Sequence, residues 1–537
     1  MLEGGPAWHC APLTLACSAA WWTAQDLRAE MAGMTWTPPA SPLGSTGLSA
    51  LVAALPLLAL FALLASGKVK GWIAALAGFI AAFAVAVAAW RMPALPALAA
   101  GLRGARYALF PILWILASAL WIHRLSVESG QFEIVRATLA DLTPDRRLQA
   151  LLVAFAFGAF LEGTAGYGVP VAVTSAMLIG LGFPPVTAAL LCLVANSSPV
   201  AFAAAGVPVT VAAEVAGLEV LPVSRYVGLL LPPLSLLVPG WLCVMLCGWR
   251  RSLEVLPAIL AAGVTLAATQ FLVATTIGPW ATGVLSGLAA MAALVVLVRF
   301  WKPRRSWSFD GAPAAASAPP PARPTVRQAL RAWSPWLLTS ALVLAWGTGL
   351  PRALHLPAVL ASPGTAMFIA GCISVPLLPG LGPWKAAACF GRTLWTMRWT
   401  IVTVCLVLAM AYVMNAAGMS GVLGLALAAT GPLFPLFSAL IGWVGVLLTG
   451  SDTSSNALFC GLQRVTADAL DIDPALAAAA NTAGGVTGKM VSPQSLSVAA
   501  SAAGLPGQEG VLFRRAILHS VAQALLIGLA ALALARS

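Results

Sequence analysis

Apolar residues run along this chain in long blocks, and only a few places interrupt them. A bilayer is crossed by a helix of about 20 apolar residues. Blocks of that character predict membrane helices near Leu48–Ala65, Trp72–Trp90, Ala108–Ile122, Tyr226–Cys247, Leu256–Val273 and Gly283–Val298. A second set is predicted near Trp336–Trp346, Thr365–Leu378, Arg398–Asn415, Leu433–Leu448 and Ile517–Leu534. Between the sets, residues 300–332 carry six basic side chains around the tract APAAASAPPPARP, a composition that builds no core and reads as an extended connector. The chain thus divides into a first transmembrane half, 47–299, a basic Ala/Pro-rich linker, 300–332, and a second half, 333–537. Residues 1–46 mix Trp, Pro and Ser with Asp26, Arg28 and Glu30, and are expected to be a disordered or mis-started extension, with Met31 and Met34 as alternative starts. His123–Arg147, with mixed charges, is expected to be an interfacial amphipathic helix and a loop.

Two blocks are not continuous. Ala159–Val173, AFLEGTAGYGVPVAV, holds Glu162, three glycines and a proline; Leu448–Leu458, LTGSDTSSNAL, holds Asp452. Glycine and proline weaken or break a helix. Broken backbone at membrane depth survives only where it is buried in protein or lines a wet cavity. Two more polar runs follow, NSSP at Asn196–Pro199 and NTAGGVTGKMVSPQS from Asn481. The interruptions recur in order: Gly163 leads to Pro185 as Gly450 leads to Pro474, and the interval from Asn196 to Pro208 equals that from Asn481 to Pro493. Matched interruptions in two halves are the sign of a repeat-built secondary transporter, in which helix N-termini meet near the midplane and attract anions. One half is then expected to rock against the other.

Composition settles the class. The chain is 60% hydrophobic and 9% charged, with a mean hydropathy of +0.92, which excludes a soluble domain and predicts an all-α polytopic membrane protein in a lipid bilayer. The net charge of +12 does not point to nucleic acid, because the basic residues sit in short loops and the linker, as cytoplasmic segments do. Lys68 and Lys70 likewise place the end of the first helix in the cytoplasm and the N-terminus outside. The nine cysteines are scattered, and Cys243 and Cys247, one turn apart, have no histidine nearby. No metal site and no cofactor are expected. HExxH, Ser/His/Asp and Walker patterns are missing from the sequence, so an embedded enzyme is a weak reading.

An ionisable residue at membrane depth is a functional candidate by default. Glu162 and Asp452 are the candidates for carrying a coupling proton; the competing reading is helix capping, with Asp452 accepting from the N–H groups of Ser454 and Ser455. Lys489 either attracts a carboxylate substrate or forms a salt bridge with Asp452 or Glu162. The candidate substrate-binding set is Thr164, Gly166, Tyr167, Asn196, Ser197, Ser198, Thr453, Ser454, Asn456, Asn481, Thr482, Lys489, Ser492 and Gln494; of the neutral donors and acceptors Asn196, Ser197, Ser198, Asn456, Asn481, Thr482, Ser492 and Gln494, fewer than half are expected to touch substrate, some of the rest satisfying broken backbone.

At these residues the chain resembles the bacterial lactate permease family. The resemblance rests on FGAFLEGTAGYGVPVAV, GLGFPPVTAALLCLVANSSPVAFAAAGVPV, TGSDTSSNALFCGLQ and AANTAGGVTGKMVSPQS, with support from TPDRRLQALLVAF and LRAWSPWLL. It runs from Leu48 to Leu529. It implies about 12–14 membrane helices, residence in the bacterial inner membrane, and uptake of L-lactate, D-lactate or glycolate with protons. Thr164 and Tyr167 stand where the family more often has alanine and phenylalanine, which bears on which hydroxy acid is carried. The expectation is a proton-coupled symporter for a small 2-hydroxymonocarboxylate anion. Its rivals are a sodium-coupled carboxylate or anion transporter and, more weakly, a membrane-embedded enzyme.

Overall fold

The computed structural model describes residues 38–39, 41–65, 69–140, 142–166, 168–309, 324–347, 350–357 and 359–536. The expected extension up to residue 37, Tyr167 and the centre of the linker lie outside the described residues. All regular elements among the described residues are helices. Ten are long and apolar enough to cross a bilayer, or eleven if the bent pair Pro185–Ala195 and Val200–Ala216 counts as one span. The count falls below that implied by the resemblance because half-helices such as Val169–Gly180 reach only part-way.

The first half opens with α1 (Thr46–Ala65), α2 (Gly71–Ala88), α3 (Ala94–Tyr107), α4 (Trp114–Glu128) and α5 (Gln131–Ala140). α3 was not signalled by the apolar pattern, since Arg103 and Arg106 interrupt it. The stretch expected at the interface differs too. α4 continues through His123 to Glu128, and α5 buries Phe132 and Val135 inside the protein. Next come α6 (Arg146–Ala150), which leads through a wider turn into α7 (Gly158–Thr164), then α8 (Val169–Gly180), α9 (Pro185–Ala195), α10 (Ala203–Ala216), α11 (Val220–Cys247), α12 (Leu256–Thr276) and α13 (Thr282–Phe300). The second half contains α14 (Val326–Gly347), α15 (Pro363–Ser374), α16 (Pro383–Ala417), α17 (Met419–Leu427), α18 (Phe434–Thr449), α19 (Asp452–Ala469), α20 (Pro474–Gly488), α21 (Pro493–Ala502) and α22 (Glu509–Leu534).

Two hairpins penetrate the molecule from opposite ends. The first, α6 to α8, has its open end where Arg147 donates to the Arg251 carbonyl and to Glu254, just past the C-terminus of α11. A side chain at Gly182, after α8, would meet the Arg146 guanidinium, so both arms of this hairpin end at one level. The second hairpin, α18–α19, opens at the other end of α11. There Arg464 donates to the carbonyls of Ala216 and Gly217, and Tyr226 donates to Asp473, which caps α20. Phe434, Ala467 and Ala477 cluster at that level. α11 has 28 residues, about 42 Å of rise, so the hairpins enter from the two faces of the membrane layer.

The halves interlock. α1, α2 and α3 of the first half pack on α16 and α17 of the second; α10 packs on α19, α8 on α21, and α11 on α20. Backbone approaches are close: a Cβ at Gly104 would meet the Leu408 backbone, and one at Gly163 would meet Gly283. Small residues permit such crossings, which carry van der Waals packing where lipid supplies no hydrophobic drive. The expected rocking of one sequence half against the other is therefore not available, because it would part α2 and α3 from α16 and α1 from α17.

The linker is docked at its start. Trp307 donates its N–H to Asp145, Arg146 donates its N–H to the Trp307 carbonyl, and Arg147 donates to the Arg305 carbonyl. α14 begins at Val326, inside the stretch expected to be linker.

Candidate functional site

The two hairpin tips meet at a cavity of about 50 Å³. Its walls come from Gly166 and Gly168, from Val200 to Pro208, from Gly450 to Thr453, and from Lys489, Gln494, Ser495 and Val498, with Leu116 of α4 closing one side. Local sequence explains each break. Gly166 and Gly168 take φ of +60° and +80°, a region that glycine enters without steric cost, and Pro170 then starts α8. Between α9 and α10 the chain bends by 68°, with Ala204 and Ala205 also left-handed at φ 43° and 56°. Left-handed alanines cost roughly 1–2 kcal/mol each, so packing must hold this bend. Ser451 caps α19 by accepting from the Ser454 N–H, and Ser492 caps α21 by accepting from the Ser495 N–H, with Pro493 at its first position.

Four half-helices, α8, α10, α19 and α21, therefore begin at the cavity. The first turn of a helix has N–H groups without intrahelical partners and carries partial positive charge. Their convergence suits an anion.

The charged side chains lie beside this wall. Lys489 Nζ donates to Glu162 Oε1 at 2.5 Å, joining α7 of the first half to the break after α20 of the second. The Glu162 side chain is 0% exposed and that of Lys489 is 10% exposed. Of the readings open for Lys489, its salt bridge is thus to Glu162 and not to Asp452. Lys489 also lines the cavity. An ammonium has three donors, and Glu162 takes one. Glu162 Oε2 has no hydrogen-bond partner among the described residues, and neither does either oxygen of Asp452, which lines the cavity. The capping reading of Asp452 gives way to Ser451, which does that work one residue earlier. A Cβ at Gly485 would collide with Asp452 Oδ1, so this glycine makes room for the carboxylate.

The other candidates divide. Gly166, Thr453 and Gln494 line the cavity with Asp452 and Lys489. Asn196 borders a small void on the other side of Lys489, its Oδ1 unpartnered. The rest are engaged elsewhere. Thr164, Ser197 and Thr482 donate to the carbonyls of Leu161, Val194 and Ala478. Ser198 bonds Ser235, which bonds Gln270. Ser492 donates to the Lys489 carbonyl, and the Ser454 N–H serves the cap. Asn456 donates to the Pro208 carbonyl and accepts from Asn481, which accepts from Gln463. The equal Asn–Pro intervals do not mark equivalent positions. Asn196 ends α9 while Asn481 lies inside α20, and Pro208 lies inside α10 while Pro493 starts α21; Pro185 and Pro474 do match, each opening a helix.

Sequence reasoning did not single out Ser451, Ser495, Val498 or Leu116 as cavity residues. For Ser451 a signal existed, a serine three residues before Ser454 at a helix start. For the apolar pair nothing in the sequence sets them apart. Among the described residues no three His, Cys, Asp or Glu side chains group as metal ligands. Chemically, the arrangement offers one cation, helix dipoles and two buried carboxyl groups: means to hold an anion and to exchange a proton.

Comparison with known proteins agrees with this picture. Residues 49–358 and 348–536 match the L-lactate permease family. The glycolate permease GlcA of Escherichia coli (strain K12) is 42% identical over 92% of this chain and 97% of its own length. The L-lactate permease of Bacillus subtilis (strain 168) is 41% identical over 92% of this chain and 97% of its own. Among solved structures, the YdaH transporter of Alcanivorax borkumensis aligns with 81% of this chain and 88% of its own at 17% identity and a TM-score of 0.45. This multi-pass membrane protein belongs to the L-lactate permease family.

Proposed function

We propose that this protein takes up a small 2-hydroxymonocarboxylate, lactate or glycolate, together with protons across the bacterial inner membrane. The observation that carries the reading is a buried ammonium, Lys489, lining a cavity where four half-helices begin. A carboxylate there meets Lys489 and free N–H groups, while Thr453, Ser495 and Gln494 offer partners for the 2-hydroxyl. Two buried carboxyl groups, Glu162 and Asp452, supply sites for a proton. The basic ends of α11 and α13 and the start of the linker face the cytoplasm under the positive-inside rule. The first hairpin then enters from the cytoplasm and the second from outside, so movement of either tip opens the cavity to one side. This inverted pair replaces the motion of whole halves as the basis for alternating access.

The test is uptake of labelled L-lactate and glycolate into proteoliposomes under an imposed pH gradient without sodium. Concentrative uptake supports the reading. Uptake that needs sodium instead replaces proton by sodium coupling, and a chemically altered product would favour an enzyme. Transport of neither acid under either gradient overturns the substrate assignment.

A further inference from the structure

The site contains three ionisable side chains of opposed sign, and their number constrains how an anion can enter. α7, which carries Glu162, packs against α4, α8, α9, α10 and α13; Lys489 is bonded to Glu162 and lines the cavity together with Asp452. α8 has no ionisable residue and α9 adds only the Cys192 thiol; α4 carries His123, Arg124 and Glu128 in its last two turns, with Arg124 bonded to Thr396 and Glu128 to Arg392; the acid of α10, Glu214, is at its far end, bonded to Tyr412; the arginine of α13, Arg299, is in its last turn. α20 and α21 have none, and α19 adds only the Cys460 thiol near Asp452. Among the described residues the local charge is therefore set by Glu162, Lys489 and Asp452.

Resting on the transport reading above, we infer that Glu162 is the group that takes up the coupling proton, that it does so because the substrate carboxylate competes with it for Lys489, and that Asp452 stays protonated throughout. Neither oxygen of Asp452 bonds to a protein donor among the described residues, and the ammonium's bond goes to Glu162, so Asp452 is the carboxyl group without a cation of its own. With Asp452 neutral, Glu162 and Lys489 cancel. An arriving anion adds one negative charge beside a carboxylate that shares the same ammonium. In a low-dielectric site two carboxylates around one cation are not both kept ionised. Glu162 is the one that yields: it becomes a carboxylic acid, Lys489 turns to the substrate, and the site is neutral again. One proton thus enters with one anion, and Glu162 recovers Lys489 as both leave. The pair acts as an exchange switch whose halves lie 327 positions apart in the chain.

The experiment is anion binding to the purified full-length protein in nanodiscs, using calorimetry in buffers of different ionisation enthalpy, with L-lactate and glycolate as probes. Wild type is expected to take up about one proton per anion, so Kd rises about tenfold for each unit rise in pH over the range in which uptake occurs. Glu162→Gln is expected to bind with no proton uptake and a Kd flat with pH. Asp452→Asn, whatever its affinity, is expected to keep about one proton per anion. Infrared difference spectra of wild type give a second readout that needs no variant: a carboxylic-acid band must appear on adding anion. Wild-type binding without uptake or without that band overturns the inference and leaves carboxylate transport standing. Uptake retained in Glu162→Gln and lost in Asp452→Asn also overturns it. Wild type that binds neither anion overturns the transport reading and this inference together.

Discussion

Asn481, inside α20, donates its side-chain amide to Asn456 Oδ1 at 2.9 Å, and Asn456 donates in turn to the Pro208 carbonyl at 3.0 Å. Two asparagines of the second half thus satisfy a carbonyl that the bend of the first half presents. The break in one half is sealed by polar residues of the other, so part of the polar content at membrane depth holds the scaffold.

Asn456→Ala removes the side-chain donor to the Pro208 carbonyl and the oxygen acceptor of the Asn481 amide, which keeps only its weak bond to Cys460 Sγ. A cost of about 1–3 kcal/mol is expected for each buried group stranded. Thr482→Val removes a donor to a carbonyl of its own helix and is expected to change stability by less than about 0.5 kcal/mol. Thermal unfolding followed by fluorescence separates them: a lowered midpoint for the first, little change for the second.

Removing Lys489 strands Glu162. Lys489→Met is expected to cost about 3–5 kcal/mol, the penalty for breaking a buried pair from one side. Adding Glu162→Gln removes the stranded charge and is expected to restore most of the folded yield, read by size-exclusion chromatography. Neither variant takes up lactate, because the ammonium that would hold the carboxylate is gone. Recovery of uptake in the double variant would show that Lys489 serves only stability.

Glycines at helix crossings should be intolerant. A Cβ at Gly442 meets the Asn481 carbonyl, a backbone atom that cannot turn aside. Gly442→Ala is expected to destabilise by at least about 1–3 kcal/mol. Gly421 has open space around its missing Cβ, and Gly421→Ala should be neutral or stabilising by up to about 1 kcal/mol. Parallel expression and thermal unfolding check the contrast.

Val498 lines the cavity and sits 3.5 Å from where a Cβ on Gly168 would lie. Val498→Ala enlarges the apolar wall. Filling or losing one methylene in such a wall changes discrimination about tenfold or more. The ratio of 2-hydroxybutyrate to lactate uptake should rise by about that factor in competition assays; an unchanged ratio would remove Val498 from the specificity wall.

The sequence displayed the breaks well and their partners poorly. Gly166, Gly450 and Pro474 are conspicuous because their chemistry is local: a backbone angle or a helix start is written in one or two residues. Glu162, Asp452 and Lys489 stood out because charge is rare in apolar sequence. Which of them pair was not legible, since Glu162 and Lys489 meet only through packing of α7 against distant helices. Asn481 was assigned to substrate on polarity alone, and the structure turns it towards Asn456 instead. The interval match between Asn196–Pro208 and Asn481–Pro493 misled because equal residue counts do not ensure equal helical phase: α9 ends at Ala195, whereas α20 runs on past Asn481 to Gly488. α3 was missed because two arginines dilute its apolar face, although Ala97, Ala100, Gly101 and Gly104 pack it tightly.

The interlocking of α2 and α3 with α16 and of α1 with α17 also shapes how the protein is made. Helices that emerge early from the ribosome wait in the membrane with their inner faces against lipid until translation reaches Ala417. The ancestral unit suggested by the repeated breaks is not the unit that matures. A chain released before Pro383 leaves the faces of α2 and α3 that α16 covers without their partner.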